Sequence, residues 1–239
     1  MRKTLLALFF VPFFTWMALA QSALDGLPFD KKITLAKAGD EDAQIAVAMA
    51  YEQGLEAKAS KIEAAKWYRA AAQQGNAEGQ FRLARLVHDG GEGLKKSPEI
   101  AVQLYQNAAE QGHALAQNWL GYCYQRGIGI AAKDETAVMW YAKAAEQGLP
   151  IAQNNLGLMH LNGKGTPRDF AKAFALFQKA ADQGDGWGLN NLAGMHEMGW
   201  GVARDRQKAM ELYQLAADAG NSAARENLTR LGASASTPD

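Results

Sequence analysis

Along residues 40–220 the apolar positions fall into two alternating helical patterns, each recurring about every 36 residues. In the first, a large apolar residue (Val47, Leu83, Leu120, Leu156, Leu192) is followed directly by a small one (Ala48, Ala84, Gly121, Gly157, Ala193). In the second, Ala64, Ala101, Ala137, Ala173 and Ala209 lead to a bulky pair: Trp67-Tyr68, Leu104-Tyr105, Trp140-Tyr141, Leu176-Phe177 and Leu212-Tyr213. An alanine pair completes that face. Apolar spacing of i, i+3, i+4, i+7 and i+8 is one stripe of an α-helix. The pattern predicts five hairpins of a helix A and a helix B, with the small residue of A letting B approach closely.

Glycines set the register. Gly39, Gly75, Gly112, Gly148, Gly184 and Gly220 close helix B at intervals of 36 or 37 residues. A second series, Gly54, Gly91, Gly127, Gly163 and Gly199, is expected to end helix A as left-handed C-caps, with the extra residue of the second repeat just before Gly91. Helix B starts are signalled by a capping box of Ser60 with Glu63, by Pro98 at a first helical position, and by Asp134, Asp169 and Asp205 in first turns, where the helix dipole favours negative charge.

The third repeat carries Ala116, Leu120-Gly121, Gly127-x-Gly129, Asp134, Ala137, Trp140-Tyr141, Ala144-Ala145 and Gly148. This string resembles the Sel-one-like repeat, a relative of the tetratricopeptide repeat. The second repeat departs most, with Gly79 for Ala, Leu104 for Trp and no Asp before helix B. The resemblance implies an all-α, right-handed superhelical solenoid whose concave helix-A face binds a protein or peptide partner. Repeats are expected at about 40–75, 76–112, 113–148, 149–184 and 185–220 within a solenoid spanning 30–231. Residues 30–38 read as a lone helix B, and 221–231 as a C-terminal cap, the polar-faced half-repeats that end such stacks.

The first twenty residues follow a different logic. Arg2 and Lys3 precede an apolar run to Ala20 ending Ala18-Leu19-Ala20, the pattern of a signal peptide cleaved after Ala20. No later stretch is apolar enough to cross a bilayer, so the mature chain is expected to be periplasmic or secreted, without stable membrane insertion. Residues 21–29 and 232–239 are expected to be flexible. Lys+Arg and Asp+Glu both number 25, so no basic stripe points to nucleic acid. Balanced charge and capped ends favour a monomer. Cys123 is the only cysteine; it shares a slot with Met159 and Met195 and is expected to pack rather than react.

Little in the sequence suggests catalysis. The Gly127/Gly129, Gly163/Gly165 and Gly199/Gly201 pairs lack the third glycine and preceding strand of a dinucleotide loop. His160 and His196 stand where other repeats carry Tyr51, Val87 and Tyr124, and are expected to be packing residues. His196-Glu197 has no second histidine at zinc-protease spacing. No cofactor and no metal are expected. The expected function is a non-enzymatic exported adaptor. The alternative is a protein that binds or hydrolyses cell-wall fragments or β-lactams, as described for cysteine-rich relatives with a disulfide in each repeat; one cysteine departs from that pattern. On a concave helix-A face, the positions three, six, ten and thirteen after each closing glycine would face the groove. Asn118, Asn154 and Asn190 share the sixth position with Phe81, and with Tyr122, Met49, Leu158 and Trp187 they form the candidate partner surface. Asparagine amides offer both donor and acceptor to an extended backbone.

Overall fold

A computed structural model describes residue 24 and residues 26–232. The expected leader, residues 21–23 and 25, and the tail from 233 onward lie outside them. The described residues form α1 (Phe29–Lys37), α2 (Glu41–Gln53), α3 (Lys61–Gln73), α4 (Ala77–Asp89), α5 (Pro98–Glu110), α6 (Ala114–Arg126), α7 (Asp134–Glu146), α8 (Pro150–Asn162), α9 (Phe170–Ala181), α10 (Gly186–Met198), α11 (Arg206–Asp218) and α12 (Ser222–Arg230). No strand occurs among them beyond one isolated Gly91–Leu94 bridge, and no described helix is long and apolar enough to cross a membrane. The class is all-α, and the helices alternate A and B through the five predicted hairpins.

The chain divides into two compact units, Met1–Lys96 and Ser97–Asp239. In the first, α1 packs on α2, α2 on α3 and α3 on α4. Leu24, Ala36, Ala43 and Val47 form one buried cluster there. In the second unit, each helix from α5 to α12 packs on the next, and α10 also touches α8. Two clusters, one around Tyr141 and Met159 and one around Phe177, Leu192 and Tyr213, hold it together. The small slot of helix A is used as predicted. A methyl on Gly121 would lie 2.8 Å from the Tyr141 ring, and one on Gly157 would lie 2.6 Å from Phe177.

The turns between A and B explain the second glycine series. Gly54, Gly127, Gly163 and Gly199 are left-handed C-caps, with φ of 71°, 68°, 65° and 73°. The hairpin is then closed by the N-cap residue of helix B, whose backbone N–H donates to a carbonyl in helix A. Ser60 donates to Tyr51, Lys133 to Tyr124, Asp169 to His160 and Asp205 to His196, each at 2.9 Å. The second glycine of each pair has a different duty. Built on Gly129, Gly165 or Gly201, a Cβ would sit 2.4, 2.3 or 2.6 Å from backbone atoms of Pro98, Asp134 or Phe170, at the start of the preceding helix B. The paired glycines are therefore a turn plus a repeat-to-repeat backbone contact.

Three local readings are corrected. Helix A of the second repeat ends at Gly90, not Gly91; the extra residue lies beyond it, in a turn where Gly91, Glu92 and Gly93 all have positive φ. Asp169 and Asp205 are N-caps rather than first-turn residues, and each side chain accepts from a backbone N–H three residues on at 2.9 Å. Ser60 does accept from the Glu63 N–H at 3.3 Å, but its own N–H is taken by Tyr51, which leaves no donor for the return half of a capping box.

Candidate functional site

The asparagines of the sixth position form a seam. In the second unit the helix-A face is built by α6, α8 and α10, with α12 in the same register. The Asn155 side-chain amide donates to Asn118 Oδ1 at 2.9 Å, Asn191 to Asn154 Oδ1 at 2.7 Å, and Asn227 to Asn190 Oδ1 at 3.1 Å. Asn118 and Asn154 are only 5% and 6% exposed. Their oxygens are engaged between repeats, so the expected open ladder is instead a clasp, each bond contributing about 1 kcal/mol. Asn190 alone of the three is half-buried. Phe81 is buried in the first unit and cannot offer a surface. Met49, Tyr122 and Leu158 are half-buried. Tyr122 meets the Trp119 ring edge-on at 5.7 Å and lies under the Arg126 guanidinium at 5.8 Å.

A glutamine set at the fifth position escaped the sequence reading, although Gln44, Gln80, Gln117 and Gln153 recur visibly. All four are buried. Gln44 and Gln117 donate to Ala36 and Ala109 carbonyls at 3.1 and 3.0 Å. Their oxygens, and that of Gln153, accept from Gln74, Gln147 and Gln183 at 2.8–2.9 Å. Buried amides are tolerable only when satisfied in this way.

A third set ties B to A within a hairpin. Tyr68 donates its hydroxyl to Glu52 at 2.6 Å, Tyr141 to Gln125 at 2.9 Å and Tyr213 to Glu197 at 2.9 Å. Glu197 is buried and also takes two hydrogen bonds from Arg230 of α12, at 2.7 and 2.8 Å. The Arg230 bonds hold its carboxyl below the ordinary 4.5, against the opposing effect of burial, and Tyr213 assists. A depressed carboxyl gives stability that is complete above about 4.5 and is lost as pH falls through the folded value. Amide-exchange protection of α12 should therefore weaken below about pH 4.5, and Glu197→Gln should remove that dependence. This explains Glu197 as an anchor for the last helix. Among the described residues no group of three or more His, Cys, Asp or Glu is placed to hold a metal.

Cys123 is fully buried and its thiol is pushed up to about 11 by desolvation, an unreactive state. His196 packs edge-on against Phe174 at 5.6 Å. Burial lowers the His160 pKa, and nearby Lys172 adds to the effect.

At the third position after Gly112, Gly148 and Gly184, helix A exposes a large apolar residue. Leu115, Ile151 and Trp187 are 40%, 44% and 56% exposed, all at the third position after a closing glycine. Trp187 was anticipated; Leu115 and Ile151 were missed, though they share its slot. The corresponding positions in the first unit, Asp42 and Glu78, are acidic.

The Sel1 repeat family model matches residues 41–76, 77–113, 114–149, 150–185 and 188–221. The chain is similar in structure to a Sel1 repeat protein from Oxalobacter formigenes, with TM-score 0.82, 30% identity, and coverage of 90% of this chain and 87% of that one. It is also similar to c5321, a protective antigen of uropathogenic Escherichia coli displaying an SLR fold, with TM-score 0.78 and 30% identity over 90% of this chain. The chain spans about half of that antigen, 48% of its length. The immunity protein Pa5087 of Pseudomonas aeruginosa shares the fold at 18% identity and TM-score 0.53. No curated protein matches.

Proposed function

Because the chain belongs to the Sel1 repeat family, we propose that it is a non-catalytic, exported scaffold that binds a protein or peptide on the helix-A face of its second unit. Sel1 repeats generally mediate protein–protein contacts, which supports the class. The observation that carries the reading is the exposed row of Leu115, Ile151 and Trp187. Large apolar side chains repeated at one slot are costly to leave in water, and such patches mark interaction surfaces. Tryptophan at the end of the row suits a binding anchor. The asparagine seam fixes the spacing of the three helices that carry it.

The test is capture from the native envelope by the tagged mature chain, with the co-purifying proteins identified by mass spectrometry. The triple change Leu115→Ser, Ile151→Ser, Trp187→Ser should lower recovery of the captured partner at least about tenfold, since each lost apolar contact removes about 1 kcal/mol or more, while the far-UV circular dichroism stays the same. Undiminished recovery refutes the surface. Nitrocefin turnover by the purified chain would favour the β-lactam alternative. The N-terminal sequence of the envelope-derived protein should begin at Gln21.

A further inference from the structure

The half-buried member of the asparagine series borders a cleft. Beside Asn190 and Asn191, a cleft of about 210 Å³ opens between Leu161 and helix α10, with Trp200 and Tyr213 as further walls. Gly194 and Met195 also line it. The two preceding repeats carry Tyr122 and Leu158 in that slot, ten residues after the closing glycine, where the fifth has Gly194.

The walls are held in place. Trp200 stacks on Phe170 with ring centroids 5.6 Å apart, and Tyr213 is tied to Glu197. The two asparagine amides are oriented by the seam. Asn190 Oδ1 accepts from Asn227, and Asn191 Nδ2 donates to Asn154. That leaves Asn190 Nδ2 and Asn191 Oδ1, whose one mutual contact is long at 3.4 Å. A donor and an acceptor side by side, weakly paired, match the C=O and N–H of a peptide group. No lining side chain is charged, so an ionic occupant would lose its hydration without compensation.

We propose that this cleft is an anchor subsite for one neutral apolar side chain, aromatic or long aliphatic, of an extended peptide segment, with Asn190 and Asn191 taking the adjoining backbone amide. The assignment rests on the scaffold reading and names the chemistry of what is bound.

The probe is N-acetyl-phenylalanine methylamide, titrated into the full mature chain and followed by ¹H–¹⁵N NMR. Saturable shifts should appear at Gly194, at the Asn190 and Asn191 side-chain amides and at the Trp200 indole. Binding of N-acetyl-glycine methylamide should be at least about tenfold weaker. Gly194→Leu is the variant that places a side chain in the cleft; its Cβ meets only the Tyr213 hydroxyl, at 3.6 Å, outside the backbone of its own helix. This variant should melt no lower than the parent and lose the shifts. Equal binding of the two probes, no saturable shift, or shifts that survive Gly194→Leu would overturn the subsite. The titration needs no partner, so its failure leaves the scaffold reading standing, and failure of partner capture leaves the titration result intact.

Discussion

Gly165→Ala should be among the most damaging single-methyl changes available in this chain, lowering stability by about 3–4 kcal/mol. Two costs add. Gly165 has φ +64°, a left-handed conformation that costs an L-residue about 1 kcal/mol or more. The new Cβ would also sit 2.3 Å from the Asp134 carbonyl carbon and 2.6 Å from the Glu135 nitrogen, backbone atoms that no rotamer change can withdraw. Gly148→Ala is the control: its φ is +87° and nothing lies within 4 Å of a built Cβ, so it carries only the conformational cost. Thermal melts should place Gly165→Ala several degrees below Gly148→Ala, at roughly 2–4 °C per kcal/mol for a chain of this size. Equal melting temperatures would mean that the close backbone approach between repeats is not present.

Phe177→Tyr should cost about 2–3 kcal/mol, although it adds one oxygen to a ring position occupied by tyrosine in the other four repeats. Three of those tyrosines give their hydroxyls to Glu52, Gln125 and Glu197, each sixteen residues earlier. The fourth repeat has Leu161 at that distance, in the same apolar cluster as Phe177. A new hydroxyl there would be buried without a partner, and that penalty exceeds the value of an ordinary hydrogen bond. Adding Leu161→Gln should restore at least half of the loss, since it recreates the Tyr141–Gln125 pair. A double-mutant cycle by denaturant unfolding measures the coupling; additivity would dissolve the pairing rule.

These pairs show what the sequence makes legible. Repeat length, the helix-A glycine caps other than that of the second repeat, and the small residue facing the tyrosine ring were all readable, because each depends on neighbours within one hairpin and recurs in register. Side chains that bridge repeats were harder to read. Asn118 and Asn154 lie on the helix-A face as expected, but whether they meet water or the next repeat depends on the stacking of α6, α8 and α10, and an isolated hairpin pattern does not carry that. The clue was present one residue along: Asn155, Asn191 and Asn227 run 37 residues behind their acceptors, in step with the next repeat. Gln44, Gln80, Gln117 and Gln153 are hidden from an apolar-periodicity reading, because their burial depends on carbonyls and glutamines of neighbouring helices. Cap positions slipped by one residue at Asp169 and Asp205, where a carboxylate favours both the N-cap and the first turn.

Removal of one whole repeat tests most directly the claim that these hairpins are interchangeable units, each leaning on the next. Excising residues 150–185 joins Leu149 to Gly186 and brings Asn191 into the place of Asn155, opposite Asn118. Gly201 then comes to lie opposite Asp134 in place of Gly165. Stability of a repeat array is a sum of units and nearest-neighbour interfaces, so the shortened chain should keep its far-UV ellipticity per residue and unfold in one cooperative transition at a somewhat lower temperature. Loss of helix per residue or of the cooperative transition would contradict the account.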